Sequence, residues 1–541
     1  MSTDPAAGGY HTSEDEKLLH RMGYAQELFR AMGGFQNFAI SFTIISILAG
    51  CLTSFALGFE HGGPVVIIWG WLIVGLFSTL IALSMAEIAS AYPTAGGLYY
   101  WASKLGGPGW GWATGWFNLI GQVAVTAAIG YGLATFGAVL LDYWFSYFQK
   151  MDDIFGASVN ASFYLLYAFF MLASCLINVL NIRITARLNT ISAYWHIIGV
   201  AFIVIVLIVV PDHHQSLTYV FTETVNNSGY GQAGDNFSSP TFWFVFGLGL
   251  LLSQYTITGF DASAHTAEET HQASRMAAVG MYMSVVASVF FGWILLLAVT
   301  FAVPSTAGGL ENIGTIVPWI WRESMSQNWA ETLLFICVVA QFYCLTASVT
   351  SASRMMFAFS RDRAVPGHTL WRRVSRQRVP TYSVFGIGFF SGILMVPAVW
   401  NYLVGYFVGT AISVIGLYIA FMIPCYLRWR LGDRWQEGGS WSLGRHYKWL
   451  TPVGIAWVAL ITCLFSAPLY TSGVPWSDSF TWDLTNYTIV WFAGIGLVFG
   501  GWWILSAKNW FKGPVRMGTE EELERMEEEE AGRYALPTES A

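Results

Sequence analysis

Charge is what this 541-residue chain has least of: 26 Lys and Arg with 33 Asp and Glu make up 11% of it, against roughly 25% in soluble domains. Hydrophobic residues reach 55% and the mean hydropathy is +0.50, so a water-soluble fold of this size would lack the polar residues to cover its surface. That excludes a soluble enzyme, a nucleic-acid binder and a disordered scaffold. The formal net charge of −7 says little about partners, because residues 520–530 alone carry eight Glu against one Arg. The six cysteines (51, 175, 337, 344, 425 and 463) lie in apolar stretches without a CxxC pair, so neither a disulfide framework nor a metal site is indicated. HExxH, GxSxG and the Walker A string are missing as well, which removes familiar enzyme signatures and ATP-driven pumping within this chain. No cofactor is implied. Residues 1–36 are polar and charged, unlike a removable leader.

Long apolar runs are what the chain has in abundance. A bilayer core about 30 Å thick needs about 20 apolar residues per helix, and that ruler finds twelve: 38–58, 64–90, 110–145, 160–181, 190–211, 241–262, 276–303, 329–358, 382–399, 402–427, 450–470 and 485–506. The fold class expected is an all-α polytopic membrane protein with 12 transmembrane helices. An even count puts both termini on one side. With that side cytoplasmic, only Lys150 and Arg322 of the 26 basic residues fall on outer loops, and seven of the rest lie in 354–378, as the positive-inside rule asks. The organisation expected is a cytoplasmic segment 1–36, a twelve-helix domain 37–507 and an acidic cytoplasmic tail 508–541. Residues 14–32 carry apolar positions 18, 19, 22, 25, 28 and 29, a helical stripe suited to lying on the inner face or to a plain cytoplasmic helix. The polar stretch 212–240 reads as an outer loop; its Asp212-His213-His214 is expected to be solvated rather than metal-bound. Sequons at Asn160, Asn226, Asn236 and Asn486 share that outer side.

Two spans carry interruptions at corresponding places, the pattern by which transporters often mark a binding site. The first reads Ser46-Ile-Leu-Ala49-Gly50 and the sixth Thr256-Ile-Thr258-Gly259-Phe-Asp261-Ala-Ser263. Small residues there either let helices pack closely or let the backbone leave the helix. Spans 1–5 and 6–10 then form two inverted repeats. Asp261 inside a span is costly and points to a partner or an aqueous cavity; with His265, Glu268 and Glu269 it sits at a helical spacing that suits a charged helix end better than a metal.

Between the second and third spans the chain reads AEIASAYPTAGGLYYWASKLGGPGWGWATGW. With MGGFQNFAISFTIISILAG before it, and GFDASAHTAEET at 259–270 and SASRMMFAFSRDRAVP at 351–366 after it, this resembles the amino acid–polyamine–organocation (APC) permeases. The likeness is strongest to the branch holding amino acid, γ-aminobutyrate and choline permeases, and covers about residues 20–510. It implies a LeuT-like fold of ten helices in two inverted repeats of five, plus two more. Tyr92-Pro93 then ends the second span, Gly96-Gly97 makes the turn, and Gly107, Gly111 and Gly115 bring the third helix close to a neighbour.

A broken helix offers N–H donors to a carboxylate and C=O acceptors to an ammonium. By resemblance, the amides near Ala49 and Gly50 meet the carboxylate, and carbonyls at Ser46, Tyr255 and Thr258 meet the ammonium. Thr256 and Gly259 complete the second break, and Tyr255 forms a lid. Asn118, Gln122 and Thr126 face the cavity at i, i+4, i+8, with interhelical hydrogen bonds as the plainer alternative. Asp261 is a coupling or gating candidate, or else an acid that caps or pairs near the inner end of its span, and Glu87 near the inner end of span 2 either joins a cytoplasmic gate or is a solvated helix-end acid. Ser348, with Thr346, Thr350 and Ser351, offers hydroxyls for a sodium ion, while His196 occupies the span-5 position where some proton-coupled relatives carry a basic residue. The expected function is secondary active transport of amino acids, neutral ones or γ-aminobutyrate preferred, across the cell membrane, by proton coupling or exchange. A transporter-like nutrient receptor and a choline or polyamine permease are the alternatives. The partners implied are the amino acid, a coupling proton and the lipid bilayer.

Overall fold

The computed structural model describes residues 13–145, 152–154, 157–159, 161–180, 182–232, 234–396 and 402–534. Lys150, Asn160, the outer end of the ninth expected span (397–399) and the chain's first 12 and last 7 positions lie outside these residues. Most of what is described is helical, and the protein is a multi-pass helical membrane protein. Ten helices are long and apolar enough to cross a bilayer among the described residues. The expected sixth and ninth spans are the ones that differ. Residues 240–265 form three pieces, Pro240–Gly249, Leu251–Thr256 and Ala262–His265, and Thr381–Leu394 is apolar but 14 residues long. Strand is confined, among the described residues, to two short antiparallel pairs; one ties His61–Gly62 to Val225–Asn226 of the 212–240 loop.

Local chemistry explains where the helices start and stop. The helix Trp71–Ala91 ends at Tyr92, because Pro93 keeps its predecessor out of helical backbone and removes a donor. Gly107, at φ +94°, turns the chain into Pro108, and a proline in the first turn suits the start of the 35-residue helix Pro108–Asp142. The two glycines that follow serve contact. A Cβ on Gly111 would lie 1.6 Å from Ser103 Oγ, and one on Gly115 2.5 Å from the Phe359 ring.

The N-terminal stripe folds differently from expectation. Its helix covers only Glu14–Met22, held at its start by a reciprocal Ser13–Glu16 capping box. It stops at Gly23, which takes φ +93°, a left-handed conformation that glycine adopts at no steric cost. Leu19, Ala25 and Leu28 are buried, so the stripe packs into the protein. His20 meets Glu527 of the tail helix Glu520–Tyr534 at 2.9 Å, and both side chains are buried.

That face of the molecule is closed by charge. Arg354 and Arg361 lie seven residues apart on Gln327–Arg361 and reach the end of the second interrupted segment. Arg354 donates to both oxygens of Glu269 at 3.1 and 3.2 Å, and Arg361 to both oxygens of Glu268 at 2.9 and 3.2 Å. Tyr24 and Tyr99 donate to Asp362 Oδ2 at 2.8 and 2.6 Å, while the Val515 amide donates to Oδ1 at 2.8 Å. Burial, then the neighbouring Asp362, drives both tyrosine hydroxyls well above their ordinary range. Glu87 pairs with Arg428 at 3.2 Å. Bidentate pairing offsets much of the desolvation cost of such buried charges. Removing one partner exposes that cost: Arg354→Met should destabilise the detergent-purified protein by about 3–5 kcal/mol, seen as a lowered unfolding temperature. Arg322→Gln, at an exposed pair, should leave that temperature unchanged.

Candidate functional site

The two interrupted segments meet inside the helical body. In the first, the helix Gly34–Ile45 stops at Ser46, which takes φ +40°; helix resumes over Gly50–Thr53 and Phe55–Glu60. In the second, helix stops after Thr256, Gly259 takes φ +83°, and a short helix restarts at Ala262. Close approach demands glycine at both sites. A Cβ on Gly50 would lie 2.7 Å from Thr256 Cγ2, and one on Gly259 would lie 2.2 Å from Ile44 Cγ2. Side chains stitch the breaks together: the Ser41 hydroxyl donates to the Phe260 carbonyl at 2.9 Å and accepts from the Ser263 amide at 3.0 Å. Tyr418 donates to the Ile257 carbonyl at 2.5 Å.

The backbone groups expected to face a ligand are used differently. The amides of Ala49 and Gly50 both donate to the Ser46 carbonyl, at 2.8 and 2.7 Å, which occupies that acceptor too. The Tyr255 carbonyl receives the Thr258 hydroxyl at 2.6 Å. Each break therefore closes into a tight local turn.

Between them lies a cavity of about 10 Å³, room for roughly one water. Ala49, Gly50, Tyr255, Thr256 and Thr258 line it, together with Thr53, Gln341 and Cys344. The Tyr255 ring is buried and meets Tyr406 edge-on with centroids 6.3 Å apart. Tyr406 in turn donates to Thr53 Oγ1 at 3.1 Å. Gln341 is 1% exposed, yet neither its Nε2 nor its Oε1 has a partner. Sequence reasoning passed over it, although a lone amide within an apolar run was a signal. Among the described residues, the cavity lining carries no charge.

Asn118, Gln122 and Thr126 share a helix face on which Val125 and Ile129 reach this cavity, but the three polar side chains are engaged elsewhere. Gln122 and Asn118 donate to Asp261 Oδ2 at 2.8 and 3.4 Å, and Thr126 meets Ser348 Oγ at 2.7 Å. Asp261 is fully buried, and its Oδ1 has no partner. His265 Nε2 lies 3.2 Å from Asp261 Oδ2, while its Nδ1 faces the Ala95 carbonyl at 3.0 Å. A carbonyl only accepts, so Nδ1 carries hydrogen. Glu268 and Glu269 turn instead to their arginines. His196 is differently placed: Nδ1 donates to the Ser192 carbonyl at 2.8 Å, and Nε2 stands 2.7 Å from the Ser46 hydroxyl. Because the hydroxyl can donate, this histidine is satisfied as a neutral ring, and it clasps the first break.

Interrupted helices crossing around a polar cavity, inside a multi-pass helical body, are the construction of a solute transporter. Comparison with known proteins defines which kind. Residues 32–497 match the family described as Amino acid permease, and the chain belongs to that family, within the APC superfamily. It is 35% identical over 513 residues to the amino-acid permease BAT1 of Arabidopsis thaliana, covering 92% of this chain and 95% of that one. A BAT1 homolog from Oryza sativa subsp. japonica is 36% identical over 532 residues, covering 95% and 98%. The GABA-specific permease of Saccharomyces cerevisiae is 25% identical over 518 residues, covering 93% and 86%. The family is one of transporters rather than enzymes.

The crossing of the breaks gives a direct test. Gly50→Ala should reach the membrane but lose most amino acid uptake, because its Cβ meets Thr256. Gly50→Ala/Thr256→Ala removes both close side-chain atoms and should recover part of that uptake. A double variant as inactive as the single one would place the role of Gly50 elsewhere.

Proposed function

We propose that the chain is a secondary active transporter that moves amino acids across the plasma membrane by alternating access. In this reading it has twelve spans: the ten long helices, the shorter Thr381–Leu394 and the interrupted 240–265 segment. The first ten form two inverted repeats of five, and both terminal segments, 1–36 and 508–541, lie in the cytoplasm around the transporter domain 37–507. The observation that carries the proposal is the uncharged cavity between two crossing breaks, with the unpartnered Gln341 amide beside Tyr255, Thr256 and Thr258. An amide supplies one donor and one acceptor face, which complements a zwitterion without adding net charge. Substrate entry widens the cavity and trades the local bonds at Ala49, Gly50 and Thr258 for bonds to its carboxylate and ammonium.

An uncharged lining favours a neutral amino acid or γ-aminobutyrate over a dibasic one, since a cationic side chain would find no counter-charge there. Asp261 is engaged by Gln122, Asn118 and His265. The name of the yeast relative adds weight to γ-aminobutyrate. An uptake panel of amino acids, γ-aminobutyrate, arginine, choline and polyamines in proteoliposomes tests this. Gln341→Leu should raise KM about tenfold or more, the cost of losing hydrogen bonds to charged groups, with the protein still folded. Preferential uptake of arginine or choline would overturn the specificity. Binding without flux would make the chain a receptor.

Coupling by protons is favoured over sodium. Of the four hydroxyls suited to sodium, Thr346 donates to Phe342, Ser348 pairs with Thr126 and Thr350 donates to Asn178, which leaves Ser351 as the one without a partner. His196 offers a more direct device. Adding a proton at Nε2 turns it from acceptor to donor and forces the Ser46 hydroxyl to rotate, so protonation is felt at the first break. Wild-type protein in sodium-free proteoliposomes should show substrate-driven proton flux, and His196→Gln should lose most of it while retaining exchange. If that flux persists in His196→Gln but vanishes in Asp261→Asn, the Asp261–His265 pair is the coupling site.

A further inference from the structure

A second cavity opens on the lipid-facing side, away from the crossing of the breaks. It is a groove of about 680 Å³, bounded by Trp116 of the long helix Pro108–Asp142, by Ile387 and Phe390 of Thr381–Leu394, and by Trp491 and Phe499 near the C-terminal end. Its volume falls within the roughly 300–1,000 Å³ of small-molecule sites. The groove exists because the last helical stretch, Thr488–Trp510, leans on the protein along one edge. Phe499 stacks on Trp116 with ring centroids 3.8 Å apart, yet only 11% of the stretch's apolar window is buried. Thr381–Leu394 lines the wedge from Ile387 to Leu394, a length of about 12 Å at 1.5 Å per residue. One leaflet of the hydrocarbon core is about 15 Å deep.

Its mouth differs chemically from its wall. Pro366 and Trp371 close the end nearest the terminal segments. The turn is held by the Trp371 indole donating to the Pro366 carbonyl at 2.8 Å and by the Ser383 hydroxyl donating to the Trp371 carbonyl at 2.7 Å. Arg363 and Arg372 flank this turn, and both are exposed. Among the described residues neither forms an ion pair, in contrast to Arg354 and Arg361 of the preceding helix. Between them His368 senses the charge: burial, then Arg372 and Arg363, hold its imidazole below the ordinary value. Two exposed arginines without an ion pair among the described residues thus flank the turn that borders one end of the apolar groove.

We propose that this groove binds an anionic phospholipid, with one acyl chain lying along Trp116, Phe390 and Phe499 and the phosphodiester headgroup on Arg363 and Arg372. The chain fills a space that the helices leave open and restores dispersion contacts that an empty wedge forfeits. The headgroup gains from two fixed cations at the membrane surface. A soluble phosphate would have only the arginines, and a neutral lipid only the groove.

Spin-labelled lipids test this on the full chain in phosphatidylcholine nanodiscs. Labelled phosphatidylglycerol should be immobilised in preference to labelled phosphatidylcholine. Arg363→Gln/Arg372→Gln should lower the relative association of phosphatidylglycerol by about fivefold per arginine and leave phosphatidylcholine unchanged. Ile393→Trp, at an exposed position on the groove wall, should reduce immobilisation of both. Uptake in phosphatidylcholine vesicles shows that the variants are folded. Equal immobilisation of the two labels by wild type overturns the proposal, as does a double-arginine variant that keeps the preference. A dimer by native mass spectrometry, broken by Ile393→Trp, also overturns it and makes the groove a contact between two copies.

Discussion

Within a bilayer, backbone N–H and C=O groups have no water to turn to, so a spanning helix can be interrupted only where the protein supplies the missing partners. Both breaks here obey that constraint, and they do so by depending on each other. Ser46 bends into a left-handed conformation and gathers the next amides onto its own carbonyl, while His196 holds its hydroxyl. The second break is satisfied partly from outside: Ser41 takes the Phe260 carbonyl and Tyr418 the Ile257 carbonyl, while Thr258 of the break itself takes the Tyr255 carbonyl. Gly50 and Gly259 let the two strands of irregular backbone approach closely enough for this exchange. A cavity between them follows as a consequence, since two helices cannot both unwind at one level and still fill the space between.

Bilayer thickness also made most of the fold legible in the sequence. Apolar runs of the required length marked the helices, and the small residues at 46–50 and 256–263 marked both breaks. The partners of individual polar atoms were not legible. Nothing in the string SILAG says that the Ser46 carbonyl will collect two amides, because turn type depends on backbone angles that several sequences share. Asn118 and Gln122 carried the right spacing for one face, but the sequence does not say whether that face meets a cavity or an aspartate. Arg354 and Arg361, seven residues apart, were a readable sign of one charged face that reaches Glu269 and Glu268. Residues 14–32 show the opposite failure. Their apolar period runs on past Gly23, and one left-handed glycine outweighed it.

The closed face and the breaks belong to one mechanical unit. Glu268 and Glu269 follow a few residues after Gly259, and their arginines sit on Gln327–Arg361, the helix that also brings Ser348 to Thr126 and Gln341 to the cavity. Asp362, one residue past that helix, gathers Tyr24, Tyr99 and the Val515 amide, so the N-terminal segment, the Gly97–Gly106 helix and the C-terminal segment converge on a single carboxylate. Burial raises the Asp362 pKa, and Arg361, the tyrosines and the Val515 amide oppose that rise. Three donors from three elements hold this carboxylate, and the departure of any one element removes a bond from a buried group.

That arrangement bears on how such a face can open. Moving the Ala262–His265 end alone would strand Glu268, Glu269 and Arg354 and leave Arg361 with Glu27 at 3.7 Å, a cost far above that of one surface pair. Moving it together with Gln327–Arg361 keeps both bidentate pairs intact, but strains the Ser348–Thr126 and Asp261–Gln122 contacts to the long helix Pro108–Asp142. Those contacts involve neutral donors or a single charge, and each is worth only about 0.5–3 kcal/mol. The weaker polar seam therefore runs along the long helix, and Asp261 lies on it with one oxygen unpartnered and His265 Nε2 3.2 Å from the other.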